Sequence, residues 1–513
     1  MTNFLVIGGG TAGCVIARRL SENSAVSVIL LEAGSSSFDM KVHDPKQWPF
    51  LAGSVIDWSF NTVPQFHTNS RIHSWPRGKA LGGSSIINAM AHVRGHRSDF
   101  DQWAQQGCHG WSYADLLPYF IRSETSSYSD SPYHGINGPL HLIQPTVAHP
   151  LTECYLAAAE NMGYPPIDEH NGAEMIGPTL NTLTIRRNQR LSISDAYLKP
   201  ILPRKNLTIL DNCLVDRLLL DKHNRCIGAS FIKDGSEEKV HADNGIVVCS
   251  GTVGSPQILL RSGIGPEKLL KHIGIPCRVN LTGVGSNLHD HCLGAGNIYY
   301  SKRTVPESEY QHSESLLYIN FKTKTLRPDL VFACVTLPVI TDQFLAPPIG
   351  SAYTLMYGVT SPKSRGSLTL QSSNPYVPPL IDPNYLNHEN DRALFVEALD
   401  FARELGGSPM FSEWRQREYL PNQTVSSIKD KRFFNEIAAY THHHPVGTCQ
   451  MGVDDNSVVS PELNVYGVAN LFVSDASIIP NITTGPTNAA VVAIAEKSAD
   501  LLLKQSPLSP IHL

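Results

Sequence analysis

The stretch Phe4-Leu5-Val6-Ile7-Gly8-Gly9-Gly10-Thr11-Ala12-Gly13-Cys14-Val15-Ile16-Ala17-Arg18-Arg19-Leu20 constrains this chain more than any other. Its apolar start predicts a buried strand, Gly8, Gly10 and Gly13 stand at G-x-G-x-x-G spacing, and residues 12–20 read as a helix. The first glycine permits a tight turn, the second lets a pyrophosphate approach the backbone, and the third lets helix and strand pack closely. The helix N-terminus then offers N–H groups to phosphate. A second apolar run, Val26-Ser27-Val28-Ile29-Leu30-Leu31, ends in Glu32-Ala33-Gly34, where an acid can accept two ribose hydroxyls and repel an additional phosphate. Strand, glycine loop, helix, strand and acid in this order predict a dinucleotide site.

The bulk properties suit an enzyme of small molecules. The 41 Lys+Arg against 46 Asp+Glu leave a charge of −5, which gives no footing for nucleic acid. With 513 residues, 42% apolar and 17% charged, the chain has material for several domains and no charged tail. Its ten cysteines (Cys14, Cys108, Cys154, Cys213, Cys226, Cys249, Cys277, Cys292, Cys334, Cys449) form no C-x-x-C pair and read as buried, reduced thiols. Residues 1–3 lead straight into the first strand, and no apolar run has the length to cross a bilayer, so a cytoplasmic location is expected.

Two later blocks repeat the glycine-rich logic. Arg77-Gly78-Lys79-Ala80-Leu81-Gly82-Gly83-Ser84-Ser85-Ile86-Ile87-Asn88-Ala89-Met90 places paired glycines and serines at what reads as a helix start, where backbone N–H groups can approach a planar ring or a phosphate. Residues 245–250 form a strand that runs into Gly251-Thr252-Val253-Gly254-Ser255-Pro256, another turn and helix. With Gly283-Val284-Gly285-Ser286-Asn287-Leu288-His289-Asp290-His291, Ser361-Pro362-Lys363-Ser364-Arg365-Gly366 and Val473-Ser474-Asp475-Ala476-Ser477, these blocks resemble the glucose-methanol-choline (GMC) family of flavoprotein oxidoreductases, motif after motif over almost the whole chain.

That resemblance implies an α/β plus α+β fold. A Rossmann-like FAD-binding domain would be assembled from residues 1–150, 195–285 and 435–513. A substrate domain of residues 151–194 and 286–434, built on a largely antiparallel sheet, would be interleaved with it. FAD would lie extended between them. Gly8, Gly10 and Gly13, with Thr11 and Ala12, would meet its pyrophosphate, Glu32 and Ala33 the adenosine ribose, and Val215 the adenine through its backbone. Val215 also reads as ordinary strand core in Leu214-Val215-Asp216-Arg217-Leu218. Gly82, Gly83, Ser84, Asn88 and Ala89 would follow the pyrophosphate and flavin, Asp475 and Ala476 the ribityl chain, and Thr487 and Ala489 the flavin end of the C-terminal helix. Ile87 occupies the position at which some members carry a flavin-linked histidine, so the FAD is expected to be non-covalent. His92 replaces a tyrosine of many members and reads as a satisfied structural histidine.

The chemistry concentrates in Tyr440-Thr441-His442-His443-His444-Pro445-Val446-Gly447-Thr448. An extended backbone would put His442 and His444 on one face and His443 on the other, and neighbours that diverge in this way argue against a metal, as does the lack of a matching carboxylate cluster. No metal is expected. The family's H-P-x-G-T pattern makes His444 the base, and imidazole suits that task because its pKa lies near working pH. Asn488, eight residues before the Glu496-Lys497 pair, falls where members carry Asn or His and would hold the substrate oxygen. The same helix start would direct its positive end toward the reduced flavin.

The expected reaction is oxidation of a primary alcohol, aromatic or heteroaromatic, to an aldehyde, with O2 or another electron acceptor closing the cycle. His442 would bind a polar substrate or tune His444. The H-x-H arrangement is similar to that of the family's pyridoxine oxidases, which makes pyridoxine a candidate, with furfuryl and aryl alcohols as competitors. Oxidation of choline or aliphatic alcohols is the alternative. The same scaffold also serves hydroxynitrile lyases and light-driven decarboxylases, both less suited to a base and donor pair. Residues 301–344 are expected to shape the substrate pocket, with Tyr310, His312, Tyr318, Phe321 and Phe332 as possible lining, although aromatics in such places are mostly sheet core. Nothing in the sequence speaks to oligomeric state.

Overall fold

The computed structural model describes residues 3–36, 39–321 and 326–513. Phe4–Ile7, fully buried, forms the predicted first strand and pairs in parallel with Val28–Leu31 on one side and Gly245–Val248 on the other. Leu207–Leu210 and Leu471–Val473 complete a five-stranded parallel sheet. The near-continuous Val, Ile and Leu of these strands are what a sheet covered on both faces requires. Thr11–Leu20 packs against the C-terminal helix Thr487–Leu502, and both belong to the largest apolar core with the sheet.

The second sheet has eight strands, and all of its pairings are antiparallel. Its strands alternate in the period-2 sense. Leu317, Phe332 and Leu355 pack into a core with helix Glu389–Gly407, whereas Leu316, Ala333, Val335 and Met356 form a separate cluster on the opposite side. Gly177–Leu180 joins one edge, paired with Ser315–Ile319. The stretch 435–513 behaves less simply. Ala439–Thr441 pairs with Cys292–Gly294 and is therefore part of the antiparallel sheet, although it lies in a segment expected to belong wholly to the nucleotide-binding half. This crossing carries the chain from one sheet to the other just before His442.

The block at Gly82 departs from the helix read there. Gly83–Ile86 makes a single 3₁₀ turn and stops. Gly82 and Gly83 sit at φ +102° and +52°, left-handed conformations that an α-helix does not use. Arg190, almost completely buried, then takes the carbonyl of Asn88 at 2.6 Å and its side-chain oxygen at 2.8 Å. With its carbonyl and side chain committed to a guanidinium, the segment has no use for a further helical turn.

Candidate active site

A single cavity of about 1210 Å³ is lined by the carboxyl ends of the parallel strands and by the inner face of the antiparallel sheet. At its nucleotide end, Gly8 turns the chain at φ +103°, where a Cβ would come within 2.6 Å of the Cys249 carbonyl. Glu32 follows the second strand, and its carboxylate accepts from the backbone N–H groups of Gly9 at 2.8 Å and Gly34 at 2.7 Å. Burial pushes its pKa up to about 7, against the pull of those donors. Gly10 and Gly83 face each other, and a Cβ on Gly83 would lie 2.6 Å from the Gly10 Cα. Side chains there would close the passage between the two glycine loops. Asp475, buried, accepts from Gly251 N at 2.9 Å and Ser255 Oγ at 2.5 Å and also faces the cavity.

An acid beside a glycine loop, a passage stripped of side chains and a buried aspartate farther along fit the adenosine, pyrophosphate and ribityl portions of an FAD. Of the residues expected to meet it, Gly8, Gly10, Thr11, Ala12, Glu32, Ala33, Gly83, Ser84, Asn88, Ala89, Val215, Asp475, Ala476 and Thr487 line the cavity. Gly13, Gly82 and Ala489 do not. A Cβ on Gly13 would sit 1.9 Å from the Gly8 carbonyl, so this glycine lets helix and strand make close contact. The Gly82 N–H is spent on the Gly9 carbonyl at 2.7 Å, and Ala489 packs into the core. Val215 packs in the core and also borders the cavity.

At the other end, His444 and Asn488 reach the same cavity. Asn488 is the second residue of its helix, whose N-cap is Pro486. Its Oδ1 accepts from Thr11 Oγ1 at 2.7 Å, which leaves the amide N–H groups to donate. The histidine run is not extended, because His443 adopts φ +63°. His442 and His444 nevertheless meet, with ring centroids 4.2 Å apart, and His443 turns to Tyr440. Asp290 fixes this kink by accepting from His444 N at 2.7 Å, from Thr441 Oγ1 at 2.6 Å and from the Tyr385 hydroxyl. Arg77 donates to the His443 carbonyl at 2.8 Å.

His291, unassigned from sequence, completes the centre. Its Nε2 lies 2.9 Å from the Thr360 carbonyl and its Nδ1 lies 3.0 Å from His444 Nδ1. A carbonyl only accepts, so the His291 proton sits on Nε2 and its Nδ1 offers a lone pair. Nδ1 of His444 must then carry the proton, which leaves Nε2 of His444 unprotonated. Burial, followed by the neighbouring imidazoles, holds His444 well below the ordinary imidazole range, and burial lowers His291 to about 4. Both are therefore neutral near pH 7. The expectation that the histidine run lacks converging partners fails here, since nitrogens of His291, His442 and His444 lie within 4.8 Å of one another. The third imidazole arrives from a distant strand, which spacing within the run cannot reveal. The signal available was the polar Asp290-His291 pair at a strand start.

At the substrate end the stretch 301–344 does supply much of the wall, but not through its aromatic side chains. None of Tyr310, His312, Tyr318, Phe321 and Phe332 lines the cavity, whose wall is instead Leu293, Leu316, Ala333, Val335 and Met356 with Asn181, Gln311 and Ser313. Phe332 points to the opposite face of its strand, and Tyr310 and His312 are engaged by Thr146 and by Thr336 and Lys46. His92 is buried, but it is not a satisfied histidine. Neither ring nitrogen has a hydrogen-bond partner, and Nε2 stands 3.8 Å from Glu124. Burial lowers its pKa to about 4.

The chain matches the GMC oxidoreductase family over residues 2–293 and again over residues 362–495. It is 41% identical over 496 residues to a pyridoxine 4-oxidase of Microbacterium luteolum, covering 96% of this chain and 97% of that protein. It is 35% identical over 544 residues to human mitochondrial choline dehydrogenase, covering 99% and 90%. The crystal structure of pyridoxine 4-oxidase from Mesorbium loti superposes with a TM-score of 0.95 at 40% identity, over 99% of this chain and 100% of that one. The glycine loops, the FAD-shaped cavity and these matches together make the chain a member of the GMC oxidoreductase family, an FAD-dependent enzyme acting on CH–OH donors.

Proposed function

We propose that the enzyme oxidises a heteroaromatic primary alcohol, pyridoxine being the foremost candidate, with His444 as the base. The hydrogen-bond chain from the Thr360 carbonyl through His291 to His444 carries this reading, because it leaves the His444 Nε2 lone pair as the acceptor for the hydroxyl proton. When bound, FAD supplies the hydride acceptor at its N5. The amide N–H of Asn488 holds the substrate oxygen, since its own oxygen is committed to Thr11. Orienting the alcohol in this way makes loss of proton and hydride a unimolecular event. His442, whose buried Nδ1 lacks a partner, is free to bind a polar ring.

The substrate wall supports a polar ring over a quaternary ammonium. The carboxylates that border the cavity are Glu32, Asp234 and Asp475, all on nucleotide-side segments, so a choline cation would meet no counter-charge beside Leu293 and Met356. The buried Asn181 Oδ1 and Trp48 Nε1 both lack partners and both belong to residues on the wall, matching a substrate with a donor and an acceptor of its own. O2 is the proposed terminal acceptor.

The test is anaerobic mixing with pyridoxine, hydroxymethylfurfural, benzyl alcohol, choline and short alkanols, followed by air. Pyridoxine should bleach the flavin fastest, and peroxide should form as the yellow colour returns. Faster bleaching by choline would overturn the substrate assignment. His444→Ala should slow bleaching about a hundredfold or more while keeping FAD bound, and an unchanged rate would remove His444 from the role.

A further inference from the structure

The three imidazoles that meet at the cavity wall are also placed as a metal would require. His291 is oriented by the Thr360 carbonyl at 2.9 Å, the kind of outer contact that aims a ligating imidazole at a metal. Its Nδ1 lies 3.0 Å from the Nδ1 of His444. Two nitrogens that share one tetrahedral zinc at about 2.0–2.1 Å are about 3.3 Å apart. His442 brings the third ring, whose Nδ1 is buried without a hydrogen-bond partner and whose backbone N–H donates to the His291 carbonyl at 2.9 Å. All three residues offer a nitrogen within 4.8 Å of the others. His442 and His444 also border the open cavity, which gives a small ion a way in.

We propose that His291, His442 and His444 capture one divalent transition-metal ion, with Zn2+ as the probe, and that this capture reversibly arrests the enzyme. Three imidazoles that each bring a nitrogen within 4.8 Å of the others, beside an open cavity, are a composition that zinc accepts readily once the His291–His444 hydrogen bond gives way to ligation. The arrest follows from proton position. In the resting tautomer His444 carries its ring proton on Nδ1. Metal ligation requires the lone pair at that atom, so the proton moves through solvent to Nε2, the atom that must be bare to receive the alcohol proton. The ring gains no net proton, and no redox step is involved. The arrest rests on His444 being the base, whereas the capture does not.

The experiment is calorimetric titration of EDTA-treated, dialysed holoenzyme with ZnCl2, alongside anaerobic flavin reduction by an alcohol substrate. One tight site per chain with micromolar or lower Kd is expected. His442→Gln, His442→Ala and His291→Gln should each weaken that site at least tenfold while retaining FAD and a cooperative thermal transition. One equivalent of Zn2+ should slow flavin reduction at least tenfold, and EDTA should restore it. Equal Zn2+ affinity in wild type and both His442 variants overturns the proposal, as does full-rate reduction with the site filled. Normal reduction by metal-free His444→Ala would instead overturn the base, while the calorimetric titration would still report on the capture.

Discussion

Glu32 is an acid that burial has made hard to ionise, with its pKa pushed up to about 7 even though two backbone N–H groups point at it. Ribose hydroxyls donate to a carboxylate, so the ionised form is the one that binds the nucleotide. Protons therefore compete with FAD. The sign follows directly: affinity is highest above pH 7 and falls as pH drops through that value. FAD dissociation measured from pH 8 to 5.5 should show a rising Kd in the wild type and a flatter, weaker profile in Glu32→Gln. A wild-type profile as flat as that of the variant would show that Glu32 does not titrate in this range. At this scale the sequence made Glu32 and His444 legible as candidates, because each stands in a contiguous motif, and both border the cavity.

The glycine-rich turn at residues 82–86 shows what an element adds to its residues. Sequence reads it as a helix start, yet two successive left-handed glycines and the Arg190 guanidinium make it a short turn that presents backbone to the cavity. Gly83→Ala would place a methyl group 2.6 Å from the Gly10 Cα at a φ that disfavours L side chains. Purified Gly83→Ala should lose most of its bound FAD, seen as a fallen ratio of flavin to protein absorbance, while its far-ultraviolet circular dichroism stays native. Retention of FAD at wild-type level would mean that the two glycine loops can move apart. The kink at His443 is a similar case. Three contacts accepted by Asp290 hold it, and their donors Tyr385, Thr441 and His444 lie 95, 151 and 154 residues from that aspartate in the sequence.

At the scale of the whole molecule, the two ends of the chain are tied together by one buried acid. Glu496, with no exposed surface, accepts from Arg19 Nε at 2.7 Å, Arg122 Nε at 2.8 Å and the Tyr197 hydroxyl at 2.8 Å. It thereby joins helices Thr11–Leu20, Tyr113–Ser123 and Thr487–Leu502. A neutral amide weakens these charge-assisted bonds, while Arg19 keeps Glu22 and Arg122 keeps Asp500, so the loss is about 1.5–3 kcal/mol. Glu496→Gln should lower the thermal midpoint by several degrees in differential scanning calorimetry, with flavin released in the same transition because the glycine-loop helix Thr11–Leu20 and the Asn488 helix Thr487–Leu502 share this contact. An unshifted midpoint would show that Glu22 and Asp500 hold the two arginines without Glu496.

The sequence by itself determined the first strands, the dinucleotide loop and Glu32, since each is encoded in contiguous residues, and the resemblance of the H-P-x-G-T stretch to its family marked His444 as the candidate base. It did not encode His291, which reaches His444 through space across more than a hundred residues and sets which nitrogen bears the proton. Nor did it encode the aliphatic wall of the substrate end, because strand alternation alone does not say which face meets the cavity and which meets helix Glu389–Gly407. Tertiary structure decided both. Direction and tautomer depend on neighbours brought in by distant strands, and such neighbours leave no local pattern in the chain.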